Sequence, residues 1–209
     1  MPTRVKICGV TQEKDAVNIA RAGADALGFV FFKPSPRYIS PEQAAAIIKA
    51  LPPFVTSVGL FVDADHAFVE EVLKQAPLNM LQFHGNETEA QCSAFGIPYI
   101  KSLRMEEGLS VVDAISNYPS CSGILLDTYV ANTPGGTGQT FDWSRVPREA
   151  EKPIILAGGL TPDNVAQAIS VTSPWAVDVS GGVEKAKGIK DLTLVHRFLE
   201  GAKRAKNTG

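Results

Sequence analysis

Eight short apolar runs alternate with helix-patterned segments along nearly the whole chain. A short apolar run bounded by Gly, Pro or polar residues reads as a strand buried on both faces, as in a parallel sheet. The runs cover 5–8, 26–31, 56–62, 80–83, 99–103, 123–127, 154–157 and 176–179. Helical patterns follow at 12–22, after Ser40-Pro41-Glu42, at 65–75, 87–95 and 109–116, in a short element at 142–146, after Thr161-Pro162-Asp163, and at 191–205. Ser40 as N-cap with Pro41 at the first helical position is a strong start signal, and Thr161-Pro162 repeats that chemistry. Thr11 is the expected cap of the first helix, with Lys14 where a capping box would place Glu.

Eight strand–helix units predict an α/β fold, a single-domain (β/α)8 TIM barrel over residues 1–209. Such barrels typically need about 250 residues and rarely fewer than about 200, so loops must be compact and no second domain fits. An open doubly wound sheet is the alternative. It usually has fewer strands and carries its phosphate loop after strand one. Here Cys8-Gly9-Val10-Thr11 follows strand one with one glycine, without a dinucleotide fingerprint, and no Walker-type lysine loop occurs.

Charge narrows the partners. Lys plus Arg number 20 against 22 for Asp plus Glu, a net charge of −2, which argues against nucleic acid as a partner. Cys8, Cys92 and Cys121 show neither metal-ligand nor redox spacing, and an odd count fits a reducing compartment. No run approaches transmembrane length and no signal-like apolar region precedes strand one, so a cytoplasmic protein without membrane contact is expected. Cys92 and Cys121 read as packing residues. The 203–207 stretch reads as a frayed basic helix end.

In a barrel, chemistry gathers at strand C-termini and in the loops after them. Two strands end in glycine-rich turns, Gly158-Gly159 and Ser180-Gly181-Gly182, where backbone N–H groups can approach an anion. The titratable residues at that end are Cys8, Arg37, Asp63, His84, Arg104 and Asp127. Cys8 and Asp127 suit general acid–base work across a barrel mouth. Each has a plainer reading: a buried small hydrophobe for Cys8, a turn residue for Asp127, a solvated loop cation for Arg37, a satisfied core-edge ring for His84.

Whole segments are similar to one family. Lys6-Ile7-Cys8-Gly9, Gly28-Phe29-Val30-Phe31 with Ser35-Pro36-Arg37, Val58-Gly59-Leu60-Phe61-Val62 and Leu81-Gln82-Phe83-His84-Gly85 carry the resemblance through the first half. Leu126-Asp127, Gly136-Thr137-Gly138-Gln139-Thr140-Phe141-Asp142-Trp143, Leu156-Ala157-Gly158-Gly159-Leu160 and Val177-Asp178-Val179-Ser180-Gly181-Gly182-Val183-Glu184 carry it through the second. The chain resembles the phosphoribosylanthranilate isomerases of tryptophan biosynthesis.

That resemblance implies an Amadori rearrangement of N-(5-phosphoribosyl)anthranilate to 1-(2-carboxyphenylamino)-1-deoxyribulose 5-phosphate, with no cofactor and no metal. It implies Asp127 as the general acid on the ribose ring oxygen and Cys8 as the base for the C2 proton. Arg37 matches the residue pairing with the anthranilate carboxylate. Gly158, Gly159, Ser180 and Gly181 match the phosphate turns, and Gln82, His84 and the 135–139 loop lie where the family has active-site loops, with His84 taken as a substrate-binding residue. Many members have Ser-Ser-Gly where this chain has Ser180-Gly181-Gly182, which removes one hydroxyl from the phosphate contacts.

A thiolate base benefits from a nearby cation, and Lys6 lies on the same strand face as Cys8, so Lys6 is expected to help hold the thiolate. Asp178 faces either into or out of the barrel. The glycine loop at 135–139 is expected to act as a mobile cover. The partner is a small phosphoribosyl substrate, and the chain is a monomer or a homodimer. Two other functions stay open. A related barrel isomerase acting on a histidine-pathway ribotide is expected to oppose two Asp residues. A non-catalytic phospho-ligand barrel need not keep both Cys8 and Asp127.

Overall fold

The computed structural model describes residues 3–128 and 140–205. Eight parallel strands close into one barrel in chain order. They are β1 (Arg4–Cys8), β2 (Ala26–Val30), β3 (Thr56–Phe61), β4 (Met80–Phe83), β5 (Tyr99–Arg104), β6 (Gly123–Asp127), β7 (Ile154–Leu156) and β8 (Ala176–Val179). Closure is direct: β1 pairs with β8 through Arg4–Ala176, Val5–Val177, Lys6–Asp178 and Ile7–Val179. The helices are α1 (Glu13–Ala22), α2 (Pro41–Ala50), α3 (His66–Gln75), α4 (Glu89–Ser93), α5 (Val111–Ser116), α6 (Val165–Thr172) and α7 (Leu192–Arg204). Among the described residues, no helix is long and apolar enough to cross a membrane.

The two-residue strand period divides the molecule into an outer and an inner core. On β1, Val5 and Ile7 point outward into the large apolar layer beneath the helices. Leu27 and Phe29 of β2, Phe61 of β3 and Leu81 of β4 join the same layer. The inner core is smaller: Ile100, Leu125, Ile155, Ala157 and Ala176 fill one level. Cys8, Val30 and Leu60 fill another. The inner set also holds buried polar groups, Lys6, Gln82, Ser102 and Asp178 among them. A barrel interior spends stability on such groups only if they are paired, so they mark where to look for chemistry.

Several element starts differ from the sequence reading, each for a visible reason. Thr11 does not cap α1: Gln12 is the N-cap, without a side-chain bond, and the Thr11 hydroxyl donates to Gly188 O at 2.6 Å. Helix α4 is five residues long and starts at Glu89, because Glu87 is bound to other groups instead. Its carboxylate accepts from Asp63 N, Gly85 N and Lys101 Nζ, and Thr88 caps α4 with Gln91. Helix α6 starts at Val165 rather than after Thr161-Pro162. Asn164 uses its side chain to close the preceding turn, accepting from Thr161 N at 2.8 Å and donating to Gly159 O at 3.0 Å. Ser40 and Gln43 form the full capping box expected for α2.

One element has no counterpart in the sequence reading. After a short 3₁₀ turn at Gly181–Val183, strands β9 (Glu184–Ala186) and β10 (Ile189–Lys190) form a small antiparallel hairpin. The 129–139 segment, including the loop expected to cover the site, and residues 206–209 lie outside the described residues.

Candidate active site

Cys8 ends β1 and Asp127 ends β6, at the same mouth of the barrel, and both are buried. In the closed ring β6 lies three strands from β1, so the two side chains approach the mouth from well-separated directions. The other predicted residues fall into two groups around them.

The first group surrounds Cys8. Lys6 faces the interior two residues earlier, and its Nζ lies 2.9 Å from Asp178 Oδ1. Asp178 therefore points inward. A Cβ at Gly28 would come 2.7 Å from Cys8 Sγ and 3.1 Å from Lys6 Nζ, so only glycine there leaves room for thiol and ammonium together. Burial pushes the Cys8 thiol up, against the pull of Lys6, and the net direction is upward. The Lys6 ammonium acts toward the thiolate, and burial outweighs it. For Lys6 itself, burial pulls the ammonium down, while Asp178 and Cys8 more than offset it and leave it raised.

Arg37 lies across Gly9: its Cδ would be 2.5 Å from a Cβ there, and Ser180 Oγ 3.1 Å. Its Nε and Nη2 each donate at 2.8 Å to the two oxygens of Glu184. This bidentate fork uses one edge of the guanidinium and leaves Nη1 and the second Nη2 hydrogen for a ligand. Hydrogen bonding to Glu184 leads the causes that hold Arg37 above its ordinary value. Glu184 is in turn held by Lys190, whose Nζ also donates to Cys8 O at 2.6 Å and Ser180 O at 3.1 Å. Burial would raise Glu184, but Arg37 and Lys190 bring it below its usual range. Burial lowers Lys190, with Glu184 opposing.

The two glycine turns expected to hold phosphate meet beside this group. Gly158 and Gly159 have φ of 81° and 62°, in the left-handed region. A Cβ at Gly182 would sit 1.9 Å from Leu160 O, so the two turns pack backbone to backbone and Gly182 cannot be replaced. The Ser180 hydroxyl is buried without a hydrogen-bond partner.

The second group surrounds Asp127. His84 Nε2 lies 3.0 Å from Asp127 Oδ2, and His84 Nδ1 lies 3.0 Å from Gln82 Nε2. Asp127 Oδ1 accepts from Thr128 N at 2.8 Å. A Cβ at Gly158 would be 2.9 Å from Asp127 Oδ1, which places the first glycine turn beside the carboxylate. Cys8, Arg37, Ser180 and Gly181 thus form one side of the mouth, and His84, Asp127, Gly158 and Gly159 the other.

Two site residues escaped the sequence reading. Glu184 stood inside a quoted motif without a role, and Lys190 stood in none. The only local signal for Lys190 was a short Gly-Ile-Lys turn, which does not reveal that the lysine folds under β1. Among the described residues, no group of three or more His, Cys, Asp and Glu side chains converges as metal ligands would.

Residues 5–201 match the family model for N-(5'phosphoribosyl)anthranilate (PRA) isomerase. The N-(5'-phosphoribosyl)anthranilate isomerase of Pseudomonas fluorescens is 56% identical over 205 residues, spanning 98% of each chain. A solved phosphoribosyl anthranilate isomerase in complex with reduced 1-(o-carboxyphenylamino)-1-deoxyribulose 5-phosphate superposes with a TM-score of 0.85 at 41% identity. The match covers 96% of this chain and 98% of that one. A structure of monomers generated from the dimeric Thermotoga maritima phosphoribosylanthranilate isomerase also has a TM-score of 0.85, at 39% identity and the same coverage.

Proposed function

This chain belongs to the phosphoribosylanthranilate isomerase family, and from that premise we propose that Cys8 and Asp127 are the base and acid of its reaction. The reaction converts N-(5'-phosphoribosyl)anthranilate to 1-(2-carboxyphenylamino)-1-deoxyribulose 5-phosphate in tryptophan biosynthesis. The observation that carries the residue assignment is the pair itself: one thiol and one carboxyl, both buried, at strand ends of the same mouth.

The Asp127 carboxyl gives its proton to the ribose ring oxygen. The bond from C1 to that oxygen breaks, and the anthranilate nitrogen supplies the electrons, leaving a C1 iminium. The Cys8 thiolate takes the proton from C2, the C2–H electrons form the C1–C2 double bond, and the iminium is neutralised to an enolamine. Loss of the enol hydroxyl proton and addition of a proton at C1 then give the ketone. The iminium makes C2 acidic enough for a modest base. Lys6 and Lys190 are the cations that pull the buried thiol toward its working form.

The 5'-phosphate sits at the turns of Gly158, Gly159, Ser180 and Gly181. The unpartnered Ser180 hydroxyl supports that reading, since a buried hydroxyl without a partner is costly until a ligand takes it. Arg37 takes the anthranilate carboxylate on the guanidinium edge that Glu184 leaves free. His84 contacts the substrate from the Asp127 side.

Cys8→Ala and Asp127→Asn are each expected to lower kcat about 10²–10⁴-fold, read from the loss of substrate fluorescence in protein shown to be folded. An active Cys8→Ala would move the base elsewhere and leave the family reaction in place.

A homodimer is the second part of the proposal. Phe54 is fully exposed in a left-handed turn with φ of 70°, at the opposite face of the barrel. It borders a groove of about 600 Å³ lined by Ile48, Leu51, Pro52, Pro53 and Pro77. An exposed Phe beside an apolar groove fits a self-complementary contact. Phe54→Asp is expected to shift a dimer to monomer in sedimentation velocity, and a wild-type monomer would sink the reading.

A further inference from the structure

The enolamine becomes the ketone only when C1 gains a proton. Asp127 cannot supply it, having already given its proton to the ring oxygen. The proton carriers around Cys8 are mostly committed. Arg37 does not release a proton. Lys190 Nζ donates to Cys8 O at 2.6 Å, Ser180 O at 3.1 Å and Glu184 Oε1 at 2.8 Å, which engages all three of its hydrogens. Lys6 Nζ donates to Asp178 Oδ1 at 2.9 Å. Burial pulls the Lys6 ammonium down, but Asp178 and Cys8 more than offset it, so it keeps its proton. The Ser180 hydroxyl is a much weaker acid than a thiol. On the other flank lie Val30 and Leu60, with Phe32 and Val62 packed against them, and these carry no exchangeable side-chain proton. Among the described residues on this side of the mouth, the Cys8 thiol, 5% exposed, is left holding a proton ready for carbon: the one it has just taken from C2.

Geometry favours its return. C2 loses its proton perpendicular to the plane of the forming C1–C2 double bond, because only then do the C–H electrons overlap with the iminium. Sulfur therefore stands over one face of that bond, with C1 a single bond length from the carbon it has just left. Gly28 leaves the room for this, since a Cβ there would come 2.7 Å from Cys8 Sγ. Energetics run the same way. A C–H beside a ketone is a far weaker acid than a thiol, so transfer from sulfur to C1 is downhill once the enol hydroxyl proton leaves. Burial pushes the thiol up against the pull of Lys6, which keeps the proton on sulfur until C1 takes it.

We propose that Cys8 acts twice: the proton it takes from C2 is the one it returns to C1, on the same face of the enolamine and before product leaves. This rests on the reading of Cys8 as the base. The protons balance within the site. Cys8 gives its proton to C1, and the electrons of the C1–C2 double bond form the new C–H bond. The C2–O bond becomes the carbonyl as the hydroxyl proton passes to the Asp127 carboxylate, ionised since the first step. Cys8 ends as thiolate and Asp127 as carboxylic acid, the forms in which the reaction found them. Neither needs a proton from solvent to begin the next turnover.

The test follows deuterium. Substrate is prepared from anthranilate and ribose 5-phosphate deuterated at C2, turned over by the full chain in ordinary water, and stopped early with borohydride. Borohydride reduces the C2 ketone and so fixes the hydrogens at C1. Mass spectrometry of the fragment holding the anthranilate nitrogen and C1 reads the label, and proton NMR reads which of the two prochiral positions carries it. Deuterium is expected at C1 above natural abundance, in one position only. Unlabelled substrate in heavy water is expected to give product with less than one deuterium at C1. A C1 free of label in the first experiment, or a full deuterium from solvent in the second, overturns the proposal. So does label divided equally between the two positions, the mark of an enolamine that becomes ketone after release. Cys8→Ala separates the two readings. If it is nearly inactive while transfer is absent, the base stands and only the return is lost. If it turns over like wild type, the base reading fails and the proposal with it.

Discussion

Two lysines are buried against glutamates in this barrel, and what surrounds them differs in kind. Lys101 points outward from β5 and pairs with Glu87 at 3.0 Å. Its ammonium also donates to Gly85 O at 2.7 Å, and Glu87 accepts from Asp63 N and Gly85 N. The remaining hydrogen-bond partner of Lys101 is Phe83 O at the end of β4, and the others belong to the collar of loops above β3 and β4. Lys190 pairs with Glu184 at 2.8 Å, but its other partners are the carbonyls of Cys8 and Ser180, and Glu184 grips Arg37. The residue types match. One pair is a strut between loops, and the other joins the proposed base, the proposed phosphate turn and the proposed carboxylate receptor through a single ammonium.

The largest expected effect tests that distinction directly. Lys101→Met leaves the buried Glu87 without its cation, which costs about 3–5 kcal/mol in urea unfolding, whereas Lys190→Met leaves Glu184 its fork to Arg37 and should cost less. Lys190→Met alone should also lower kcat/KM, by roughly a hundredfold in folded protein, since displacing reacting groups by about 1 Å has that cost. Lys101→Met should keep kcat/KM within about threefold. Equal activity losses would dissolve the distinction.

Glu184→Gln sharpens it. A neutral amide still accepts from Arg37 but loses the charge-assisted fork, worth about 1.5–3 kcal/mol, so KM should rise about tenfold or more. Glu87→Gln should leave KM alone. The same variant has a pH signature. Arg37 and Lys190 hold folded Glu184 below its usual value despite burial, so its folded value lies below its unfolded one. Its stabilisation is then complete above an unfolded value near about 4.3 and is lost as pH falls through the lowered folded value. Acid unfolding of Glu184→Gln should lack that part of the wild-type loss, and an unchanged slope in that window would contradict the assignment.

What could be read from the sequence follows the same line. The strands 80–83, 123–127 and 176–179 stand as expected, because a short continuous apolar run bounded by turn residues suits a strand buried on both faces. The positions of Cys8, Asp127 and the glycine turns at one mouth were legible because in a barrel the strand ends share that mouth. Glu184 and Lys190 were not, because their roles depend on contacts across 147 residues in one case and 182 in the other. No local pattern encodes which carbonyl a lysine meets at that separation. Helix α4 failed for the related reason that Glu87 looks like a helix-start acid but is spent on Lys101 and two backbone amides.

The smallest effect probes how the Lys190 hairpin is held from outside. Thr11 Oγ1 donates to Gly188 O, which lies in the turn between β9 and β10. Thr11→Val keeps the shape and removes one neutral hydrogen bond, at a cost of about 1 kcal/mol. Ser40→Ala removes the cap of α2 at a similar cost of about 1 kcal/mol. The two variants should therefore melt alike. They should not bind alike: loosening the hairpin loosens Glu184 and Lys190 together, so Thr11→Val is expected to raise KM by about two- to fivefold, a share of that one bond. Ser40 touches only its own helix start and should leave KM unchanged. If both variants leave KM unchanged, Lys190 is fixed by its three buried acceptors alone, and the hairpin only delivers it.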